Sequence, residues 1–131
     1  FACKLAGSKL IVIMGHTSCG AVKGACDHAK LGNLTAMLDN ITPALDKVKT
    51  ADGVDRSSSN IDFVNEVAVQ NTHLTIEKLK QDSPVLNEMI ENGEIQVVGA
   101  MYEVASGKVS FFDNAVFFFC SALDLFTSYF L

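Results

Sequence analysis

The sequence predicts an α/β domain with a mostly parallel sheet flanked by helices, and three observations predict it. Residues 9–14 form an unbroken, mainly apolar run between two glycines, which is typical of a parallel strand covered on both faces, so we expect this strand to be central. Helical patterns, with apolar residues spaced three and four apart, occupy the middle of the chain. A second strand pattern follows at residues 94–103, so a series of helices separates two strands of the expected sheet.

The first helices are predicted from small residues and from capping signals. Small and apolar residues after Gly20 predict a short helix that ends at Cys26 and packs closely on the sheet. Asn33 is the expected N-cap of the next helix. Pro43 should kink that helix or restart it, with Thr42 as the new cap.

The second half of the chain contains a long helix and a terminal hairpin. Gly and Ser residues make 51–60 an expected exposed loop, and a long helical pattern covers 61–81. A short helix is expected over 84–90. A turn at 106–107 then leads into a last strand at 108–112.

Composition and charge limit the possible functions. Apolar residues make up 49% of the chain and charged residues 19%, which indicates one globular domain with a real core. The chain has ten basic and fifteen acidic residues, and no cluster of Lys or Arg is visible, so a nucleic-acid partner is not expected. The four cysteines are too sparse and irregular for a disulfide scaffold, which favours a reducing compartment such as the cytoplasm.

The two ends of the chain are unusual. The sequence begins at Phe1 without methionine, and residues 1–6 resemble the end of a helix with Gly7 as its C-cap, so we expect an amino-terminal truncation. We divide the chain into a domain over 1–115 and an atypical tail over 116–131, which holds five of the nine phenylalanines. The tail is shorter than the roughly 20 apolar residues of a membrane span and contains Asp124, so a membrane partner is not expected. Two interpretations of the tail stay open: a segment that packs in a dimer interface, and the product of a damaged gene end.

His16 and Cys19 are the candidate site residues. They form an H-x-x-C pair just after the predicted strand, where open α/β sheets place their ligands, and imidazole with thiolate suits zinc. Two alternatives stay open: a hydrogen-bonded loop histidine with a buried cysteine, and a nucleophile with its base. A phosphate-binding loop is excluded because Ala21 and Val22 stand where Lys and Ser or Thr are required.

The longer sequence KLIVIMGHTSCGAVKGA at 9–25 resembles the second metal-binding motif of the β-class carbonic anhydrases. SPVL at 83–86 and VVGAMYE at 97–103 are similar to the carboxyl-terminal half of that family. The resemblance implies a parallel α/β fold, an obligate homodimer or a higher oligomer, and zinc held by two cysteines and one histidine. His16 and Cys19 match the histidine and the second cysteine.

One motif of the family is absent. Its first zinc-binding cysteine belongs to a C-x-D-S-R motif, which also supplies an Asp–Arg pair beside the metal. Cys3, Cys26 and Cys120 are each followed by other residues. The third ligand and the catalytic pair are therefore expected upstream of Phe1.

The resemblance implies reversible hydration of carbon dioxide to bicarbonate. In that reaction zinc lowers the pKa of a bound water from about 15.7 to about 7, and the hydroxide attacks carbon dioxide. Because one ligand motif is missing, we expect this chain alone to have little activity. Two other functions stay open: a non-catalytic zinc-binding or interaction remnant of the same fold, and a thiol hydrolase that uses Cys19 with His16.

Overall fold

The computed structural model describes residues 1–112, so the expected domain boundary at 115 and the tail at 116–131 lie outside the described residues. One strand, five helices and two further strands follow one another along this part of the chain, with the first two strands parallel, which confirms the α/β fold class. The elements are β1 (Leu10–His16), α1 (Gly20–Cys26), α2 (Asn33–Asp39), α3 (Thr42–Lys47), α4 (Ile61–Asp82), α5 (Pro84–Glu91), β2 (Gln96–Tyr102) and β3 (Val109–Phe111).

The three strands of the described residues form a small mixed sheet in the order β1-β2-β3. β1 and β2 run parallel, with His16 opposite Tyr102 at their carboxyl ends. β3 returns antiparallel to β2, with Phe111 opposite Ala100. The parallel pair and the terminal hairpin agree with the sequence-based prediction.

The expected central position of the first strand is wrong for the described residues. β2 is the middle strand, and β1 pairs with β2 alone. α4 packs on one face of β1, while Leu10, Val12 and Met14 on the other face stay 38% to 49% exposed. An apolar run shows that a strand favours burial, but it does not show which segment buries it, and residues 1–112 cover one face only.

The main core lies among the helices. Val64 and Val67 on α4 are fully buried, and they belong to a cluster with residues of α1, α2 and α3. A smaller cluster joins Cys3, Met89 and Ile95 near α5. α4 therefore packs against both the other helices and the sheet.

α2, α3 and α4 begin in different ways. The Asn60 side chain accepts the Phe63 N–H at the start of α4. Pro43 lies in the first turn of α3, which confirms a restart, but the helix begins at Thr42 itself. Asn33 is likewise the first residue of α2 and not its cap, because Gly32 before it adopts a φ of +47° that glycine tolerates.

The segment before β1 is a hydrogen-bonded turn. The Ala6 N–H donates to the Phe1 carbonyl at 3.2 Å, and Gly7 has a φ of +81°. The left-handed glycine agrees with the predicted C-cap, although the residues before it form turns and not a helix.

The segment 51–60 contains no helix or strand, as predicted, but one side chain fastens it to α3. Arg56 donates through Nη2 to the Leu45 carbonyl at 2.6 Å and through Nη1 to the Val48 carbonyl at 2.9 Å. Its guanidinium also lies 4.7 Å from the centre of the Phe63 ring. Arg56 thus satisfies carbonyl groups at the end of α3, where a helix leaves them without partners.

Candidate metal centre

The structure places both predicted ligands on one turn at the carboxyl end of β1. His16 is the last residue of the strand and is exposed, and Cys19 is half-buried directly before α1. The Cys19 carbonyl accepts the Lys23 N–H at 2.9 Å, so Cys19 is fixed to the first turn of the helix. The ends of two regular elements therefore hold the two side chains.

The His16 ring is oriented by a backbone hydrogen bond. Its Nδ1 lies 3.0 Å from the Thr17 carbonyl oxygen, which only accepts, so Nδ1–H is the donor. In the neutral ring Nε2 then carries the free lone pair. A backbone carbonyl in this position is the usual second partner of a metal-binding histidine.

Contacts from distant parts of the chain hold the turn between the two ligands. The Thr17 N–H donates to the Tyr102 carbonyl, and Thr17 Oγ1 accepts the Val104 N–H, both at 3.0 Å. The Ser18 N–H donates to Asn65 Oδ1 at 2.8 Å. The turn is therefore attached to the end of β2 on one side and to α4 on the other.

Sequence reasoning missed both Thr17 and Asn65. The one available signal was a polar residue, Asn65, directly beside the core residue Val64 on α4. The sequence alone does not show that its partner is 47 residues away.

The arrangement gives no support to a nucleophile with its base. Such a pair requires a hydrogen bond between the imidazole and the thiol. Among the hydrogen bonds of residues 1–112, none joins the His16 ring to the Cys19 sulfur, and His16 Nδ1 is already bonded to Thr17.

Cys26, His28 and His73 have structural surroundings in the described residues. Cys26 is only 4% exposed, and burial, together with the neighbouring Asp27 carboxylate, raises the pKa of its thiol. His28 is an exposed residue after α1, and His73 stacks on Phe112 with ring centres 4.5 Å apart. These groups are therefore surface or packing residues.

His16 and Cys19 fit a zinc ion as part of a ligand set. Within residues 1–112, no three His, Cys, Asp or Glu side chains are grouped so that they would hold a metal ion. Cys3 packs near α5 and Cys26 in the helical core, so neither supplies a third ligand, while Cys120 lies outside the described residues.

Residues 1–112 contain no helix with the length and hydropathy of a membrane span.

Comparison with known proteins identifies the family. A family model for carbonic anhydrase matches residues 1–109. The β-carbonic anhydrase CafA of Aspergillus fumigatus is 31% identical, with a TM-score of 0.68 over 88% of this chain and 53% of that one. The chain belongs to the β-carbonic anhydrase family. A tetrameric β-carbonic anhydrase of Sordaria macrospora, 22% identical, shares the fold with a TM-score of 0.69 over 86% of this chain and 56% of its own.

Curated members of the β-carbonic anhydrase family also match. Carbonic anhydrase 2 of Mycobacterium tuberculosis is 28% identical over 80% of this chain and 49% of its own length. The carbonic anhydrase of Mycolicibacterium smegmatis is 30% identical over 76% of this chain and 47% of its own length. The chain thus spans about half the length of the curated relatives it matches.

Proposed function

We propose that this chain supplies His16 and Cys19 to the zinc centre of a β-carbonic anhydrase, which interconverts carbon dioxide and bicarbonate. One observation carries the proposal. The hydrogen bond from His16 Nδ1 to Thr17 leaves Nε2 free, and Cys19 stands on the same turn at the end of a parallel strand. Family membership supports the same assignment.

The two side chains would hold the metal and would act as neither acid nor base. A nitrogen and a thiolate sulfur are donors that zinc prefers, at about 2.0 to 2.3 Å. The ion would supply a water molecule acidic enough to act as a nucleophile at neutral pH. The Thr17 carbonyl would keep the His16 ring in the tautomer that binds metal.

The rest of the centre would come from polypeptide outside residues 1–112. We expect a second thiolate, as the third protein ligand, and an Asp–Arg pair from a C-x-D-S-R segment. β1 supports this, because within the described residues it has one unpaired edge and leaves Val12 and Met14 exposed. The same exposed face supports assembly into a homodimer or a higher oligomer, and the cytoplasm remains the predicted location on the basis of the sparse cysteines.

The test is metal binding by the 131-residue chain, with Co²⁺ as a spectroscopic substitute for zinc. We expect a thiolate-to-cobalt absorption band that Cys19→Ser abolishes and His16→Ala weakens at least tenfold in affinity, a loss of the order known for perturbed metal sites. Cys26→Ala and His28→Ala are the matched controls and should bind as the parent chain does. A band that survives Cys19→Ser would contradict the assignment.

Activity is tested separately, by stopped-flow hydration of carbon dioxide. The chain alone should be nearly inactive, and adding a segment that contains C-x-D-S-R should restore activity. Stoichiometric zinc and activity in the 131 residues alone would show that every ligand is present in this chain. Metal binding without activity after addition of the segment would favour a non-catalytic zinc-binding protein.

A further inference from the structure

We propose that Asn65 on α4 is a positioning residue for the metal centre. Its side chain holds Ser18 in a left-handed conformation and thereby sets how His16 and Cys19 face each other. This inference rests on the proposed function of those two residues. It adds a residue of the distant helix to the structure of the site.

Ser18 has a backbone conformation that needs support. Its φ is +55°, a value that residues with a side chain rarely adopt, since the Cβ crowds the backbone there. The side chain of Ser18 is exposed, so packing gives it little support. The 2.8 Å hydrogen bond from the Ser18 N–H to Asn65 Oδ1 provides the support from outside the turn.

Asn65 is well placed for this role because the core fixes its helix. Val64 and Val67 are both fully buried in the main cluster, so α4 can neither rotate nor slide without opening the core. The Asn60 cap fixes the start of the same helix. A short side chain on a fixed helix holds the Ser18 amide at a defined position.

The two halves of the turn are held independently. Thr17 is bonded to Tyr102 and Val104 at the end of β2, which fixes the side of the turn that carries His16. Asn65 fixes the side that leads into Cys19. Without Asn65 the Ser18 backbone can relax to a negative φ, and such a change would turn Cys19 relative to His16.

The experiment uses the full 131-residue chain and Co²⁺ as the probe. Asn65→Ala should lower the Co²⁺ affinity about tenfold and change the thiolate-to-cobalt band, as expected for loss of an outer contact of a metal site. Asn65→Asp keeps an oxygen acceptor at the same place and should restore the affinity to within about threefold. Asn71→Ala, on the same helix, is the matched control and should change nothing.

Amide hydrogen exchange without metal gives a second readout. The Ser18 amide should exchange at least about tenfold faster in Asn65→Ala than in the parent chain, and protection should return in Asn65→Asp. Should Asn65→Ala fail to fold, the Asn65→Asp variant alone decides, because an intact acceptor must give both near-normal affinity and a protected Ser18.

Two results would overturn the inference while leaving the proposed function intact. One is parental Co²⁺ affinity in folded Asn65→Ala. The other is a loss that Asn65→Asp fails to restore, which would mean that Asn65 acts through packing. A parent chain with no thiolate-to-cobalt band would instead overturn the proposed function, and this inference with it.

Discussion

Gly15, one residue before His16, lies where β1 packs tightly against α4. A Cβ at this position would lie 2.6 Å from Thr72 Oγ1, 2.7 Å from Met101 Sδ and 3.3 Å from the Ala68 carbonyl oxygen. The first two distances are too short for any real contact. Replacing Gly15 with alanine must therefore displace a neighbour, and we predict a clear loss of stability.

The size of the loss follows from which neighbour can move. Met101 has a flexible side chain and can rotate away. Thr72 is 3% exposed, and its Oγ1 donates to the Ala68 carbonyl at 3.0 Å, so moving it weakens a buried hydrogen bond. One extra methyl in a filled core costs about 1–3 kcal/mol, and the weakened bond adds roughly 0.5–1.5 kcal/mol. We expect Gly15→Ala to lower the free energy of unfolding by about 1.5–4.5 kcal/mol.

The free energy of unfolding is measured by urea denaturation of Gly15→Ala, with Gly20→Ala as the control variant. A Cβ at Gly20, the first residue of α1, would meet no atom within 4 Å, so alanine there should be neutral or stabilising by up to about 1 kcal/mol. Removing Thr72 Oγ1 should relieve part of the clash, so Gly15→Ala should cost less in a Thr72→Ala background. The reasoning fails if Gly15→Ala unfolds at the parental urea concentration, or if its cost is the same in both backgrounds.

Three further predictions concern the loop, the pH and the thiols. Arg56→Lys should lose about 1–3 kcal/mol, because one ammonium cannot make the same forked contacts with the end of α3, and an unchanged thermal midpoint would argue against that clamp. The Ser58 hydroxyl and N–H bind the Asp27 carboxylate and lower its pKa, so its stabilising effect is present above the ordinary carboxyl value of about 3.9 and is lost as the pH falls below it. Asp27→Asn should flatten the decline of the urea midpoint between about pH 5 and pH 2, and an equally steep decline would contradict this. Iodoacetamide should modify half-buried Cys19 faster than Cys26, because burial raises the pKa of the Cys26 thiol, and added zinc should slow the reaction of Cys19 only. Equal rates for the two cysteines in peptide mass spectrometry would refute this order.

The parts of the fold that local physics determines could be predicted from the sequence. The long helix follows from its apolar spacing, although the Asn60 and Ser83 side chains that cap α4 and α5 were not predicted as caps. The start of α2 was wrong because Gly32, and not a capping side chain, provides the entry into that helix. The position of β1 in the sheet was wrong because burial depends on segments that pack from a distance.

The candidate site divides in the same way. His16 and Cys19 are three residues apart, so the sequence alone was enough to predict that both lie on one turn after a strand. Asn65 and Val104 reach that turn across 47 and 87 residues, and no spacing rule relates them to it. The two candidate ligands were therefore visible in the sequence, whereas the contacts that hold their turn required the tertiary structure.

Within the described residues β1 lacks a second partner strand and a complete set of metal ligands at its end, and one added segment can supply both. In residues 1–112 the outer edge of β1 has no partner strand, and His16 at its end belongs to no group of three metal-binding side chains. Because the carboxyl ends of parallel strands meet at the same edge of a sheet, a strand added in parallel to β1 would bring its own carboxyl end beside His16. Strand pairing would then complete the ligand set, and a bound metal would hold the added strand in place. Zinc affinity and association of the two segments should consequently rise together, since each stabilises the state that the other requires.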